Sequence, residues 1–367
     1  MRIARIDVSA VRYTLAGGPF EMSGGRVALE EEATVVRVET DGGLVGWGEQ
    51  CVIHPSYSPG FAESARAALA LLGRAVLGLD PRQVEVVYER MDAAVVGYAY
   101  AKSALDIACW DLLGQATGLR VGDLLGGARQ EEIELYKAIG IAAPDEMARA
   151  CREAAGAGYR QVQIKVGAHW REDVARIERC AEALSGAERL IVDANGGWAQ
   201  ADAIQALRAT DDLELVVEQP CATLEECAAV RRTVQRPMIL DESLVSVDDL
   251  LRARAAGAID AGRLKLSRSG GITPVRRIRD LAIAFGLPLT IEDTGGGDIV
   301  DAAVTHLACS LPPRLLLGGY LPGTMTTERI ARGGPVAEQG RTRLPEGSGL
   351  GLEVDERALG EPVFSVH

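Results

Sequence analysis

From about residue 130 the chain repeats one unit, a short apolar run followed by an amphipathic helical pattern. Eight such runs with seven helical stretches between them predict a parallel (β/α)7β barrel, which is a triosephosphate-isomerase-type barrel without its last helix. The predicted strands are Ile133–Ile139, Gln161–Val166, Leu190–Asp193, Leu213–Glu218, Met238–Asp241, Arg263–Leu266, Pro288–Glu292 and Leu315–Gly319.

An open, doubly wound parallel sheet is the competing architecture for alternating strands and helices. Such a sheet commonly carries a Gly-x-Gly-x-x-Gly turn after its first strand, and the start of the alternating region has none. The nearest glycine cluster, Gly295-Gly-Gly-Asp298, follows the seventh run and lacks the lysine of a phosphate-binding loop. The barrel is therefore favoured.

The first 125 residues have a different character and predict an α+β capping domain. Ile3–Leu15 alternates apolar and polar residues as a half-buried strand does, and Asp41-Gly-Gly between two apolar segments predicts a hairpin. Helical patterns cover 61–77, 81–95 and 98–116, the last closed by Gly118. We expect the capping domain at 1–125, the barrel at 126–332, and a Gly/Pro-rich tail at 333–367 that returns to the capping domain.

Composition excludes several classes of partner. A formal net charge of −13 repels nucleic acid and anionic membrane surfaces, and no apolar stretch is long enough to span a bilayer. Seven scattered cysteines without a Cys-x-x-Cys pair, and an N-terminus without an apolar signal region, predict a cytoplasmic protein with reduced, buried thiols. We expect a homo-oligomer that acts on a small-molecule carboxylate.

Charged residues end the second to the seventh strand runs. In a barrel the carboxyl ends of all strands surround one mouth, so these side chains are expected to face a common pocket. Their spacings of 28, 25, 23, 24 and 27 residues match the length of one strand–helix unit. In chain order the residues are Lys165, Asp193, Glu218, Asp241, Lys265 and Glu292 with Asp293.

Three of these carboxylates, from consecutive strands, predict a metal site. Asp193, Glu218 and Asp241 supply only oxygen ligands, which suit Mg²⁺ or Mn²⁺ better than zinc. Without a cation, three adjacent carboxylates would repel one another and raise their own pKa values. A single strand-end Asp has an ordinary solvent-facing role, but three in consecutive strands between two lysines favour a metal.

The two lysines flank the metal strands on opposite sides of the predicted mouth. A metal between them would hold a substrate carboxylate and stabilise the enediolate formed when the α-proton leaves. Either lysine alone is explained by an ion pair with a neighbouring carboxylate. Together, Lys165 and Lys265 predict acid–base chemistry on both faces of one carbon.

These motifs resemble the enolase superfamily, and most closely its muconate-lactonizing-enzyme branch. The resemblance rests on Gln163-Ile-Lys165, Val192-Asp-Ala-Asn195, Val217-Glu-Gln-Pro220, Leu240-Asp-Glu242, Leu264-Lys-Leu-Ser-Arg-Ser-Gly-Gly271 and Gly46-Trp-Gly-Glu49. It implies Lys165 and Lys265 as the acid–base pair and Asp193, Glu218 and Asp241 as Mg²⁺ ligands. The mandelate-racemase branch uses a histidine near the barrel's end, whereas His306 lies inside a helical pattern and predicts packing.

Within this branch the chain resembles enzymes that act on proline derivatives, namely 4-hydroxyproline betaine 2-epimerase and, less closely, cis-3-hydroxy-L-proline dehydratase. The similarity lies in residues 98–111 and 290–298. Tyr57, Gln163 and Asp293 are the candidate substrate contacts, and Asp293, a carboxylate beyond the three that the metal needs, is expected to pair with a substrate ammonium. Those enzymes have a tryptophan where this chain has Gly295, so a cation–π partner for a quaternary ammonium is missing. Tyr57 and Tyr320 are the aromatic residues that could replace it.

The sequence leaves the reaction open. The leading hypothesis is a racemase or epimerase acting at the α-carbon of a small amino acid derivative, such as a proline-like one. Dehydration of a β-hydroxy acid is the main rival, followed by cycloisomerisation and N-acylamino-acid racemisation. A non-enzymatic carboxylate-binding protein is a further hypothesis, which the retention of both lysines disfavours. One site supports all of these reactions, so the fold alone does not choose among them.

Overall fold

The computed structural model describes residues 1–367 and shows an N-terminal α+β region beside a nearly closed barrel. A four-stranded antiparallel sheet has the order β18-β1-β4-β5, and the predicted hairpin is the β4–β5 pair. No helix combines the length and apolarity needed to cross a membrane. The elements of this region are β1 (Ile3–Thr14), β2 (Phe20–Met22), β3 (Arg26–Ala28), β4 (Glu30–Thr40), β5 (Val45–Cys51), α1 (Ala62–Val76), α2 (Val84–Ala94), α3 (Ala99–Thr117) and α4 (Val121–Leu124).

The barrel confirms the predicted (β/α)7β architecture. Eight parallel strands have the order β14-β13-β12-β11-β10-β9-β8-β7, and a single bridge between Leu135 and Gly319 lies at the seam. No helix of the repeating type follows the last barrel strand. Its elements are β6 (Glu132–Glu134), β7 (Tyr136–Ile139), α5 (Pro144–Gly156), β8 (Gln161–Lys165), α6 (Trp170–Ala183), β9 (Arg189–Asp193), α7 (Gln200–Ala209), β10 (Val216–Glu218), α8 (Leu224–Thr233), β11 (Met238–Leu240), α9 (Val247–Ala255), β12 (Ala261–Lys265), α10 (Leu266–Ser269), α11 (Ile272–Phe285), β13 (Leu289–Glu292), α12 (Asp298–Cys309) and β14 (Leu316–Gly319).

The first predicted barrel strand, Ile133–Ile139, is in fact two strands. Its first part, β6, pairs antiparallel with a strand of the tail, while only β7 belongs to the barrel. The apolar pattern continues across both parts because each packs on the same core, so the sequence did not reveal the division. The tail elements are β15 (Ala331–Arg332), β16 (Arg341–Arg343), β17 (Glu353–Val354), α13 (Glu356–Leu359) and β18 (Phe364–Val366).

The tail pairs with a strand beside the barrel and with a strand of the N-terminal sheet. Strand β16 pairs with β6 beneath the barrel, and β18 pairs with β1 through Val8 and Phe364. One hydrophobic core of 88 buried residues contains side chains from both regions and from the tail. The domain boundaries drawn from the sequence stay a prediction, because this continuous core marks no sharp border.

Local signals explain why the helices begin and end where they do. Thr223 and Glu226 form a capping box at the start of α8, and Ser246 with Asp249 does the same for α9. Gly118 ends α3 in the left-handed conformation, with φ of 71°, as its position predicted. These residues determine where α8 and α9 begin and where α3 ends.

Candidate active site

The charged residues at the strand ends lie side by side in the register of the barrel. Lys165 on β8 is paired with Asp193 on β9, and Asp193 is paired with Glu218 on β10. On the other side of the mouth, Lys265 on β12 is paired with Glu292 on β13. Each of these side chains is buried. The predicted convergence at the carboxyl ends of the strands is therefore present.

Asp193 is the centre of one hydrogen-bonded group. Its Oδ2 accepts from Lys165 Nζ at 2.5 Å, from Gln163 Nε2 at 3.1 Å and from Asn195 Nδ2 at 3.0 Å. Gln163 Nε2 also donates to Glu218 Oε2 at 2.9 Å, so that one amide joins two carboxylates. This arrangement holds Lys165 at the edge of the mouth and fixes the positions of Asp193 and Glu218 relative to each other.

Asp241 is the centre of a second, more cationic group. Its Oδ2 accepts from Lys265 Nζ at 2.6 Å and its Oδ1 accepts from Arg268 Nη1 at 2.6 Å. Burial raises the pKa of Asp241, but the charges of Arg268 and Lys265 lower it further, so the net pKa lies well below its ordinary value. Burial lowers the pKa of Lys265, but Asp241 and Tyr57 raise it further, so this lysine is a cation here.

Arg263 lies between the two groups, completely buried in the barrel. Its guanidinium is 2.5 Å from Glu218 Oε1 and 2.6 Å from Glu292 Oε2, and it stacks over the Tyr136 ring at 4.2 Å. Glu292 also accepts from the Tyr136 hydroxyl at 2.7 Å and lies 3.2 Å from Lys265. Arg263 therefore supports the floor of the site by neutralising carboxylates on two strands.

The carboxylates are not arranged as a ready-made metal centre. No group of three or more His, Cys, Asp or Glu side chains has the spacing of a metal site, because lysines and arginines bind the carboxylate oxygens instead. The donor set nevertheless fits a hard cation. Asn195 Oδ1 and Glu242 Oε2 are buried oxygens without a hydrogen-bond partner, and Asn195 Nδ2 joins Asp193 to Glu242.

A cavity of about 50 Å³ lies above these groups, between the barrel mouth and the capping domain. Lys165 and Lys265 both line it, so the two predicted acid–base residues face one enclosed space. Apolar side chains of the capping domain form much of the opposite wall, including Leu15, Phe20 and Met22. The enclosure limits access of water to any carbon held between the lysines.

The structure places the predicted substrate contacts at this cavity. Tyr57 lines it, and its hydroxyl is 2.9 Å from Lys265 Nζ. Gln163 also lines it, although its amide nitrogen is engaged by Asp193 and Glu218. Asp293 Oδ2 accepts from the Ser267 amide and hydroxyl, and its Oδ1 accepts from Thr294 N, so both oxygens are held within the barrel.

Tyr320 lies at the cavity, whereas His306 lies away from it. Tyr320 lines the cavity and stacks on Tyr136 with ring centroids 5.1 Å apart. His306 is fully buried in α12, where Nδ1 accepts from Gly122 N at 3.1 Å and Nε2 lies 3.1 Å from Leu350 O. Burial lowers the pKa of His306 to about 4. It is a packing residue outside the cavity, as its place in the helix indicated.

Sequence reasoning missed Arg263, Arg268, Asn195 and Glu31. Arg263 is two residues before Lys265, and strand alternation places both on the same face of β12, which is a signal that was available. Asn195 is likewise two residues beyond Asp193. Glu31 left no such signal, because it enters the cavity from β4 of the capping domain and no periodicity relates the two regions.

Comparison with known proteins agrees with this geometry. Residues 4–126 match the mandelate racemase/muconate lactonizing enzyme N-terminal domain family, and residues 146–358 match the enolase C-terminal domain-like family. The chain is 40% identical over 363 residues to a cis-3-hydroxy-L-proline dehydratase of Roseibium aggregatum, with 99% of both chains covered. It is 29% identical to an N-succinyl-L-Arg/Lys racemase of Bacillus cereus, with 98% of both covered.

Solved structures give the same result. A mandelate racemase/muconate lactonizing enzyme of Roseovarius nubinhibens, crystallised in complex with magnesium, superposes with a TM-score of 0.96 at 36% identity, over 100% of both chains. The (β/α)7β barrel and its capping region are thus shared along the whole chain. The chain belongs to the enolase superfamily, in the muconate-lactonizing branch of its mandelate racemase/muconate lactonizing enzyme family of enzymes.

Proposed function

We propose that this enzyme removes the α-proton of a small amino acid carboxylate and expels a hydroxyl from the β-carbon, as a Mg²⁺-dependent hydroxy amino acid dehydratase. The observation that carries the proposal is the pair of buried lysines, Lys165 and Lys265, on β8 and β12 of one small cavity. The choice of dehydration is supported by the 40% identical dehydratase of Roseibium aggregatum, which matches the chain over its whole length.

The lysines divide the chemistry between them. One neutral lysine takes the α-proton, and the other, as an ammonium, gives a proton to the departing β-hydroxyl, so that water and an α,β-unsaturated amino acid are released. The carbon–hydrogen and carbon–oxygen bonds break, one carbon–carbon double bond forms, and the two lysines exchange protonation states. Carboxylates within 2.5 to 2.6 Å of each lysine hold both Nζ atoms in place before the reaction.

The residues that would hold Mg²⁺ are Asp193, Glu218 and Asp241, and the buried oxygens of Asn195 and Glu242 without partners suit a second layer around it. When bound, the ion supplies positive charge that neutralises the substrate carboxylate and the negative charge that develops on it. The protein's own part is to keep Asp193 and Glu218 aligned through Gln163, and to balance Glu218 and Glu292 with Arg263.

Epimerisation is the second candidate, favoured by the near-symmetric placement of the lysines. Each lysine ends a barrel strand and bonds a carboxylate of the next strand or the preceding one, so each could reach one face of a carbon between them. The N-succinyl-L-Arg/Lys racemase of Bacillus cereus, 29% identical over the full chain, supports this alternative.

Single lysine variants distinguish the two reactions. In a dehydratase, one of Lys165→Ala and Lys265→Ala loses solvent-deuterium exchange at the α-carbon, whereas the other keeps exchange and loses water elimination. In an epimerase, each variant exchanges the α-hydrogen of one stereoisomer only. NMR of each purified isomer incubated in D₂O measures both. Full turnover after dialysis against EDTA, or near wild-type turnover by either variant, contradicts the proposal.

A further inference from the structure

Glu31 is a buried carboxylate in the active-site cavity that the proposed chemistry does not use. It lies near the start of β4 in the capping domain, is 3% exposed, and lines the cavity together with both lysines. One oxygen, Oε2, accepts from Gly296 N at 2.8 Å, and the Cys51 thiol also hydrogen-bonds the carboxyl group. No lysine, arginine or histidine forms a salt bridge with it. Burying a carboxylate without a cation is costly, so a partner from outside the chain is expected.

The lack of a side chain at Gly295 leaves the space that the Glu31 carboxylate occupies. A Cβ atom at Gly295 would lie 2.7 Å from Glu31 Oε2 and 3.0 Å from Cys51 Sγ, which is too close for any side chain. The Gly295–Gly297 segment therefore makes room for Glu31. The other two carboxylates of the cavity are already engaged, since Glu292 pairs with Arg263 and Lys265, and Asp293 accepts hydrogen bonds from Ser267 and Thr294.

Ionisable side chains therefore line the cavity from both the barrel and the capping domain. Lys165 and Lys265, each paired with a carboxylate, line its barrel side, whereas Glu31 lines it from the capping domain without a salt-bridge partner. Burial, and then the nearby charge of Glu49, raise the pKa of Glu31 to about 8, because no cation lies beside the carboxyl group to oppose them. An amino acid has the matching arrangement, because its carboxylate and its ammonium are on opposite sides of the α-carbon.

We propose that Glu31 binds the ammonium nitrogen of the substrate and so selects amino acids against hydroxy acids and other carboxylates that lack the cation. The inference rests on the proposed function, since it orients the amino acid with its carboxylate toward the strand ends. It makes Glu31, rather than Asp293, the main partner of that nitrogen, because a free oxygen is needed for a new charge-assisted hydrogen bond.

The test compares Glu31→Gln with the wild-type holoenzyme on matched ligands. The pairs are cis-3-hydroxy-L-proline with cis-3-hydroxytetrahydrofuran-2-carboxylate, and L-proline with tetrahydrofuran-2-carboxylate, in which oxygen replaces the ring nitrogen. Calorimetry in Mg²⁺ buffer gives dissociation constants, and α-deuterium exchange in D₂O gives reaction. We expect Glu31→Gln to weaken binding of the amines on the order of 10- to 100-fold and to leave the oxygen analogues unchanged.

Two control variants separate recognition from structure. Glu32→Gln changes the adjacent carboxyl, which pairs with Arg66 at 2.5 Å outside the cavity, and should leave both ligand classes unaffected. Glu31→Asp keeps the charge and should retain part of the preference for amines, which also covers the case in which Glu31→Gln fails to fold. A wild-type protein without preference for the amines, or a Glu31→Gln variant that keeps it, overturns the inference. Selective binding without any α-exchange refutes the proposed reaction instead and leaves the role of Glu31 intact.

Discussion

At the scale of single residues, the site depends on cations that the sequence motifs did not single out. The carboxylates at the strand ends were visible because each follows an apolar run. Arg263 is less conspicuous because it lies in the middle of β12, and only its spacing of two residues from Lys265 marks it in the sequence. In the structure it is completely buried and joins Glu218 to Glu292. Buried carboxylates that contact neither the metal nor the substrate need a cation such as Arg263 to balance their charge.

The first prediction concerns Arg263. Arg263→Met should cost about 3 to 5 kcal/mol of unfolding free energy, since it leaves Glu218 and Glu292 buried without their cation. Denaturant unfolding, followed by circular dichroism, measures this. The same change in a surface pair, Arg231→Met, removes a partner of Asp260 at 3.0 Å and should cost less than about 1 kcal/mol. Equal costs for the two variants would show that Arg263 contributes no more than an ordinary surface arginine.

At the scale of elements, most of the barrel could be predicted because two local signals coincide. The second to seventh strand runs carry a charged residue at or beside their ends, and α8 and α9 begin at capping boxes that can be recognised in the sequence. The predicted Gln161–Val166 differs from β8 by one residue at its end. The division of the first run into β6 and β7 could not be predicted, because it depends on pairing with β16, which is about 200 residues later in the chain.

The contacts between β5 and α3 within the capping domain also could not be predicted from the sequence. Helix α3 packs so closely on β5 that a Cβ atom at Gly48 would lie 1.8 Å from the Ala104 carbonyl oxygen. Gly46 is similarly close to the Ala108 carbonyl oxygen, at 2.5 Å. The Gly46-Trp-Gly-Glu49 motif is thus a packing motif for α3. Its last residue, Glu49, accepts from Gly297 N and Val300 N and so connects β5 to the start of α12.

The second prediction tests this packing. Gly48→Ala should destabilise the protein by about 1 to 3 kcal/mol or prevent folding, because the new methyl group meets helix backbone rather than a movable side chain. Gly42→Ala, in the β4–β5 hairpin, is the matched control, since nothing lies within 4 Å of its Cβ position. Thermal melting of the two variants provides the comparison. A Gly48→Ala variant as stable as Gly42→Ala would mean that α3 can move away from β5 at little cost.

At the scale of the whole molecule, buried carboxyl groups connect the capping domain to the barrel. Glu31 and Glu49 extend from the capping sheet to the glycine loop before α12, and Asp106 of α3 accepts from Thr273 N of α11 at 2.8 Å. The region is therefore held by acids that are hydrogen-bonded but lack a cation. Burial is the main cause that raises their pKa values, to about 8 for Glu31, about 7 for Glu49 and about 7 for Asp106.

The third prediction follows from these raised pKa values. In the unfolded chain the same groups have ordinary carboxyl pKa values near 4 and are ionised throughout the range from pH 6.5 to 8.5. The folded protein therefore binds more protons than the unfolded chain in this range, so the unfolding free energy must fall as the pH rises. His306, whose folded-state pKa of about 4 lies below its ordinary value near 6.5, opposes the trend only at the low end of this range, because there the unfolded chain still binds part of a proton at this residue. Thermal midpoints at pH 6.5, 7.5 and 8.5, in EDTA to exclude metal binding, should decrease by a few degrees in total, roughly as expected for a chain of this size.

Glu49→Gln removes one of the titrating groups and should make the decrease shallower. A midpoint that stays constant or rises with pH in the wild type would show that these carboxyls are already ionised in the folded state, with cations or water balancing their charge.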